Sequence, residues 1–455
     1  MNKDVKSISP SKGPYPDWHT YIKIDDEYRV LDGDGLKQLI VYRKRVSDAR
    51  FSQWLGEIRE EARLKKGTTE MQIVSMCGHC DNSLLLLIGS AIETFISTEA
   101  ARSNNPGPTP GMQGESNAAY YSSNLKIKLP DELLSPLKAN DHHHTHDGPS
   151  RTPVKVAVFD TGLVRDEVER FLTPINSNPC IRTASQGWNF TEPSNNWHDD
   201  NPGQHGSNVT RFIIEQVIHR NGHSVEIIPV KIHNKEGKSD LFSILCGFAY
   251  ARNMGAKIIN ASFGYYAPLR ASAATSAGFG LTLFRRFIKD QLTNNKILLV
   301  AAAGNLPSPS EIAQIKQAHP RLMIETRDLG KVGFYPASFG RTLKNVIAVT
   351  SVDPKCNFVS WTQNFSRCVV DIGVQSDDPS NCHFTNPRTG ASIGGSSFAT
   401  PIATGLIASN YSLFVNDLRK RNIIRVLKQL STLPNLEVRK SLRRDIRGGV
   451  VLRRY

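Results

Sequence analysis

From Pro153 onward the chain alternates short apolar runs with segments of helical spacing. "VKVAVF" (Val154 to Phe159), "SVEIIPVKI", "AKIINASFG", "ILLVAAAGN" and "VIAVTSV" are rich in β-branched residues and too short for helices, so they read as strands. Between them, "NVTRFIIEQVI", "LFSILCGFAYARNMG", "LTLFRRFIKDQLTNNK" and "SSFATPIATGLIASNYSLF" read as helices. Nearly continuous apolar strands separated by helices predict a mostly parallel sheet covered on both faces. The expected fold class is therefore α/β, a three-layer sandwich. In such sheets, sites form at the carboxyl ends of strands. Asp160, His205 and Asn305 fall at strand ends or helix starts of this pattern.

The chain before Pro153 has a different texture. "RFSQWLGEIREEARLKK" (Arg50 to Lys66) places Phe51, Trp54, Leu55, Ile58 and Ala62 on one helical face. "SLLLLIGSAIETFI" (Ser83 to Ile96) is the most apolar stretch; a bilayer span needs roughly 20 apolar residues, so a buried helix is expected instead. Next comes a polar stretch dense in Gly, Pro, Ser and Asn, which interrupts regular structure. Three parts are expected: a small N-terminal domain of regulatory, interaction or pro-region role over 1–104, a linker over 105–152, and the α/β domain over 153–455. That last part ends in an apolar-striped helix, "DLRKRNIIRVLKQLS", expected to pack on the domain with its basic face outward.

Composition changes this picture little. Of 455 residues, 39% are apolar and 22% charged, enough for a large core without disulfides. Seven scattered cysteines argue against a fully paired secreted scaffold. With no apolar signal segment at the N-terminus and no transmembrane run, a cytoplasmic location and no membrane span are expected. The formal charge is +14, and residues 417–455 hold 12 Lys/Arg against 3 Asp/Glu, a net of +9. Basic patches without interleaved aromatics read as a solvated face, so nucleic acid is not expected as a partner. "CGHC" (Cys77 to Cys80) lacks a second CxxC, and the linker histidines "HHHTH" need no metal, so no metal site is assigned.

Four residues carry candidate chemistry. Asp160 ends the first strand in "VAVFDTGL", where a carboxylate accepts hydrogen bonds or simply caps a turn. A single "DTG" counts against the two-loop proton sharing of aspartic proteases. His205, in "NPGQHGSNVT", opens a helix, where an imidazole can act as a general base or be an ordinary surface group. Ser397, in "GGSSFATP", lies at a helix N-terminus where its own N–H can stabilise an oxyanion, although serine is also a common cap. Asn305 ends "VAAAGN" and has an amide donor to offer. The order Asp, His, Ser is one of the known chain orders of a serine triad.

On these motifs the sequence resembles the subtilisin-like serine proteases, the subtilases, from about Val154 to Gly405 and on towards the C-terminus. "VAVFDTGL" resembles the family's Asp motif, "HGSNVT" its His motif, "GSSFATP" its Ser motif and "VAAAGN" its oxyanion segment. The resemblance implies Asp160, His205 and Ser397 as catalytic, with Ser396 in the usual Thr place and Asn305 in the oxyanion hole. It implies Ser262, Phe263 and Gly264 of "INASFG", with Ala303 and Gly304, as substrate-binding. The implied activity is a serine endopeptidase acting through an acyl-enzyme on peptide or protein substrates. A transpeptidase or macrocyclase on the same scaffold, or a silent binding module, are the alternatives. No cofactor is expected: subtilases often bind calcium, but only "HDD" (Asp199, Asp200) approaches a carboxylate loop here. The N-terminal domain does not resemble the family's inhibitory segment, and a regulatory partner for it is an expectation. Asn208 replaces the second His of the His motif, and Ile402 and Thr404 replace the His and Ala after the Ser motif.

Overall fold

In the computed structural model, the described residues are 152–454 apart from 179–182, 193, 220–223, 238, 240, 270–280, 282–283, 308, 310–311, 314–315, 317–322, 381 and 431–435, together with five strands of residues 1–151. Nine strands form the main sheet: β1 (Val154–Asp160), β2 (Trp188–Asn189), β3 (Val225–Lys231), β4 (Ile258–Ala261), β5 (Leu298–Ala302), β6 (Val346–Val352), β7 (Val370–Gln375), β8 (Leu436–Val438) and β9 (Val450–Leu452). Their spatial order is β8-β9-β7-β6-β5-β4-β1-β3-β2. Only β8 with β9 is antiparallel.

Alternation along each strand explains the two-sided cover. Val154, Val156 and Val158 of β1 face one core, and Ala157 and Phe159 the other. Helices α1 (His205–His219) and α3 (Ser396–Ser409) cover the first face with Phe212, Ile213, Phe398 and Ile402. On the second face lie α2 (Leu241–Asn253) and the segment around Phe284 and Phe287. The expected mostly parallel three-layer α/β sandwich is the fold found.

Chain order then sets the site. From β1 the chain crosses to β3 on one side, and from β3 returns to β4 on the other. The strand order therefore switches at β1, and sites in such sheets form outside the carboxyl ends of strands at a switch of this kind. Register puts Asp160 opposite Lys231, and Ala261 opposite both Phe159 and Ala301. The ends of β1, β4 and β5 are thus level with one another.

Two expectations need correction. The run Ser83–Ile96 does not start as a helix: Leu84–Gly89 is a strand, between Gln38–Arg43 and Gln72–Cys77 in a five-stranded sheet that continues to Thr20–Ile24 and Glu27–Leu31. An unbroken six-residue apolar run suits an inner strand as well as a buried helix, and the neighbouring strands decide it. The basic helix is α4 (Lys420–Gln429), and its basic residues are not all outward. Arg421, Arg425 and Lys428 are exposed, but Lys420 is buried, with Nζ 3.0 Å from Asp371 Oδ2 and donating to Gly340 O. Burial pushes the Asp371 carboxyl up and the Lys420 ammonium down, while each partner pulls the other back. The helix expected over Arg50–Lys66, the last three residues of "CGHC" (78–80) and the "HHHTH" run lie outside the described residues.

Candidate active site

Asp160 is the last residue of β1, and His205 the first of α1. They meet because α1 begins tight against the turn after β1. A Cβ on Gly206 would stand 2.2 Å from Gly162 O and 3.0 Å from Asp160 Cβ, so no larger residue fits there. His205 Nδ1 is 2.7 Å from Asp160 Oδ1, and both side chains are buried. The Thr161 N–H donates to the same carboxylate oxygen at 2.8 Å. With its proton on Nδ1 facing a carboxylate, the imidazole presents Nε2 as an acceptor. Nε2 is buried and has no hydrogen-bond partner.

A second layer holds this pair. Thr161 Oγ1 accepts from the Gly206 N–H at 3.0 Å and donates to Asp199 Oδ1 at 2.9 Å. Asp199 Oδ2 accepts from the Ser207 N–H and hydroxyl. Burial pushes the Asp199 carboxyl up, and the Ser207 and Thr161 bonds pull it down. Asp200 instead pairs with the buried Lys231 ammonium, which also donates to Thr161 O at 2.7 Å and His198 O at 3.0 Å. "HDD" therefore does not fit a calcium ion: one carboxylate is taken by hydroxyl and amide donors and the other by an ammonium. Among the described residues, no group of three or more His, Cys, Asp or Glu is placed to hold a metal.

Ser397 is the second residue of α3, where a backbone N–H has no partner inside the helix. Pro401 sits four residues on and has no N–H to give the Ser397 carbonyl. The Ser262 hydroxyl donates to that carbonyl instead, at 2.8 Å. Asn260 Nδ2 donates to Ser262 Oγ, and the Thr404 hydroxyl donates to Asn260 Oδ1. Thr404, a departure from the family's usual alanine, is thus the anchor of a buried chain leading to Ser397. In return, the Ser397 hydroxyl donates to Ser262 O at 3.0 Å. It is turned towards β4 and makes no hydrogen bond with His205 Nε2. The His205 ring lies 5.2 Å from that of Phe398, the next residue after Ser397.

Asn305 follows β5. Its Oδ1 accepts from the Ser396 N–H at 3.0 Å and the Ser396 hydroxyl at 3.2 Å. Two donors on one branch fix the amide, leaving Nδ2 as its donor branch. Ser396 Oγ also accepts from the Gly304 N–H at 3.0 Å, and Gly304 holds φ +93°, open chiefly to glycine. Ala303 is committed on both sides: its N–H to Val349 O, its carbonyl to Asn364 Nδ2. Ser262, Phe263 and Gly264 run on from β4 outside the sheet, with Phe263 ring-on-edge to His233 at 5.1 Å.

Asp160 and His205 are thus in contact, and Ser397, Ser262, Ser396, Gly304 and Asn305 form a second connected cluster. Sequence reasoning missed Thr161, Asp199, Ser207 and Lys231, although "DTG" and "HDD" held two of them. It also missed His233, which is fully buried with neither ring nitrogen bonded; burial drives it down to about 3. Asn208, in the family's second His place, joins α1 to the loop after Phe384–Thr385: its Oδ1 accepts from Asn386 Nδ2 and Arg388 Nη1.

Comparison with known proteins bears on the family and the fold. The cell wall-associated protease of Bacillus subtilis is 32% identical over 155 residues, 32% of this chain and 15% of that protein. The thermostable alkaline protease of Halalkalibacterium halodurans is 26% identical over 280 residues, 59% of this chain and 60% of that protein. The chain therefore spans less than two thirds of the length of both. Among solved structures, a mutant of the epidermin leader peptide processing serine protease from Staphylococcus aureus superposes with a TM-score of 0.51 at 17% identity, over 92% of this chain and 98% of that one. That likeness speaks for the fold. The family model of the subtilases matches residues 151–442, well over half of the chain, and on that match the protein belongs to the subtilase family.

Proposed function

We propose that the protein is an endopeptidase that cleaves peptide bonds through an acyl-enzyme on Ser397, with His205 as base and Asp160 as its orienting carboxylate. The observation that carries the reading is the buried 2.7 Å bond from His205 Nδ1 to Asp160, with a partnerless Nε2 on the other side of the ring. In the reaction the Ser397 hydroxyl leaves Ser262 O for Nε2; such bonds often tighten only when substrate binds. Oγ then attacks the scissile carbonyl carbon and its proton passes to Nε2. Asn305 Nδ2 and the Ser397 N–H receive the oxyanion. Collapse breaks the C–N bond, and His205 returns the proton to the leaving amine. Water repeats the sequence and frees the acid. An extended substrate lies along Ser262–Gly264 as an added strand.

A cytoplasmic setting belongs to this reading; among the described residues Cys356, Cys368 and Cys382 form no disulfide, as a reducing compartment leads one to expect. Among the described residues, no helix is long and apolar enough to cross a membrane.

The test is covalent labelling by a fluorophosphonate probe, mapped by peptide mass. Label is expected on Ser397 and absent in Ser397→Ala and His205→Ala, with hydrolysis lower by about 10⁴- to 10⁶-fold in either variant. Labelling elsewhere, or full activity in Ser397→Ala, overturns the assignment.

A further inference from the structure

Beyond the ends of β4 and β5, the chain runs on as two facing edges, Ser262–Gly264 and Ala303–Asn305. One ring lies between them. The strand Gly333–Tyr335 pairs antiparallel with Tyr265–Ala267, setting Phe334 opposite Tyr266. This register swings the Phe334 ring under both edges. A Cβ on Gly264 would stand 2.2 Å from Phe334 Cε1, and one on Gly304 2.8 Å from Cε1 and Cζ. The same ring edge thus touches both glycines. The ring is fully buried and held in place. Tyr266 meets it edge-on at 5.0 Å, the Tyr266 hydroxyl donates to Asn305 O at 2.7 Å, and Asn364 Nδ2 donates to the Tyr266 oxygen at 2.8 Å.

The proposed reaction places a substrate over this ring. With its carbonyl carbon at Ser397 Oγ, its oxygen at Asn305 and its backbone along Ser262–Gly264, the residue supplying that carbonyl stands at the mouth between the two edges. Its side chain has the slot between Gly264 and Gly304 to enter, and Phe334 already fills it. We infer that Phe334 closes this slot and restricts cleavage to peptides with glycine or alanine as the residue that supplies the scissile carbonyl. The inference rests on the acyl-enzyme reading above. A larger side chain has to displace a packed aromatic ring and its hydrogen-bonded neighbour, which close-packed interiors resist.

The experiment uses the full chain and fluorogenic peptides of one sequence that differ only at this residue: glycine, alanine, leucine, phenylalanine or arginine. The expected kcat/KM is at least about 100-fold higher for alanine or glycine than for the three large residues. In Phe334→Ala the ratio of kcat/KM for the leucine or phenylalanine peptide to that for the alanine peptide rises at least about tenfold over the parent's ratio. Phe334→Leu, which keeps most of the volume, gives a smaller shift in the same direction and covers the case in which the alanine variant does not fold; the parent profile needs no variant at all. Fluorophosphonate labelling run alongside separates the two readings. Label on Ser397 with equal cleavage after small and large residues overturns the closed slot alone. No label and no hydrolysis of any peptide removes the catalytic reading, and the slot argument falls with it.

Discussion

The two sides of the cleft are built by different physics. On one side, Asp160 and His205 are held by charge and directed hydrogen bonds: a carboxylate facing an imidazole, a threonine bridging to a second carboxylate, and a buried ammonium behind. On the other, Ser397 and Asn305 are held by backbone close approach, with glycines, small hydroxyls and a helix proline leaving main-chain groups for their neighbours to take. The first side is set before substrate arrives. On the second, the hydroxyl of the proposed nucleophile donates to Ser262 O, and the proposed reaction asks it to turn. A base needs a fixed tautomer, whereas a nucleophile must move towards carbon, and each side has the kind of support its atom requires.

Among the residues that support the proposed triad, the largest effect is expected on the Ser397 side. Asn305 offers two groups: Oδ1 accepts from Ser396, and Nδ2 is the proposed donor to the oxyanion. Asn305→Ala removes both, and kcat is expected to fall about 10²- to 10³-fold with KM little changed. Asn305→Asp keeps the acceptor and loses the donor. If the donor matters most, both variants lose kcat alike; if Asn305→Asp retains activity near the parent, Asn305 serves only to hold the Ser396 loop.

On the Asp160 side the expected effect is smaller, because support is shared. Thr161→Val leaves the Gly206 N–H and one Asp199 oxygen without their hydroxyl partner, while the Thr161 N–H still holds Asp160. A loss of about 1 to 3 kcal/mol in stability is expected from the unsatisfied buried groups, with a fall of about tenfold in kcat as the imidazole loses its fixed orientation. Thr161→Ser keeps the hydroxyl and should recover both. Denaturant melts and kcat measured on the three proteins decide it: equal losses in the serine variant mean that the methyl group, and not the hydrogen bonds, is what counts.

The same contrast governs what could be read from the chain. Strands β1, β5 and β6 were legible because buried parallel strands are apolar throughout, and the residues at their ends followed from them. Asp160, His205, Ser397 and Asn305 were legible because each sits beside glycines and small residues in a short motif. Support drawn from far along the chain was not. Asp199 reaches Thr161 across 38 residues, and Asp371 takes Lys420 across 49. An amphipathic reading puts every lysine of α4 outward, since its buried partner leaves no mark on local periodicity. Phe334, in "GFYP", shows neither period nor motif; only the pairing of Tyr266 with it brings it under the two glycines. The run from Ser83 failed for a related reason, since its neighbours in the sheet, not its own residues, decide between strand and helix.

His233 gives the most specific test of the Asp160 side, one read in stability alone. Its ring is fully buried, lies against Phe263, and has both nitrogens without a bonded partner, while its backbone N–H donates to Asp160 O. Burial pushes it from the ordinary 6.5 down to about 3; Asp160 pulls the other way, and His205 and Lys231 add to the depression. The sign follows from linkage. Between these two values the unfolded chain binds a proton at this residue and the folded chain does not, so stability present above pH 6.5 is lost as pH falls. The slope for one proton is about 1.4 kcal/mol per pH unit, so about 2 to 3 kcal/mol goes between about pH 6.5 and 4.5. His233→Leu removes the titration while keeping an apolar group of similar reach. Urea melts of the parent and variant at both pH values should show the variant losing less by roughly that amount. Equal losses would mean that the ring finds a proton acceptor when the fold is acidified, and that this side of the cleft is less rigid than its hydrogen bonds imply.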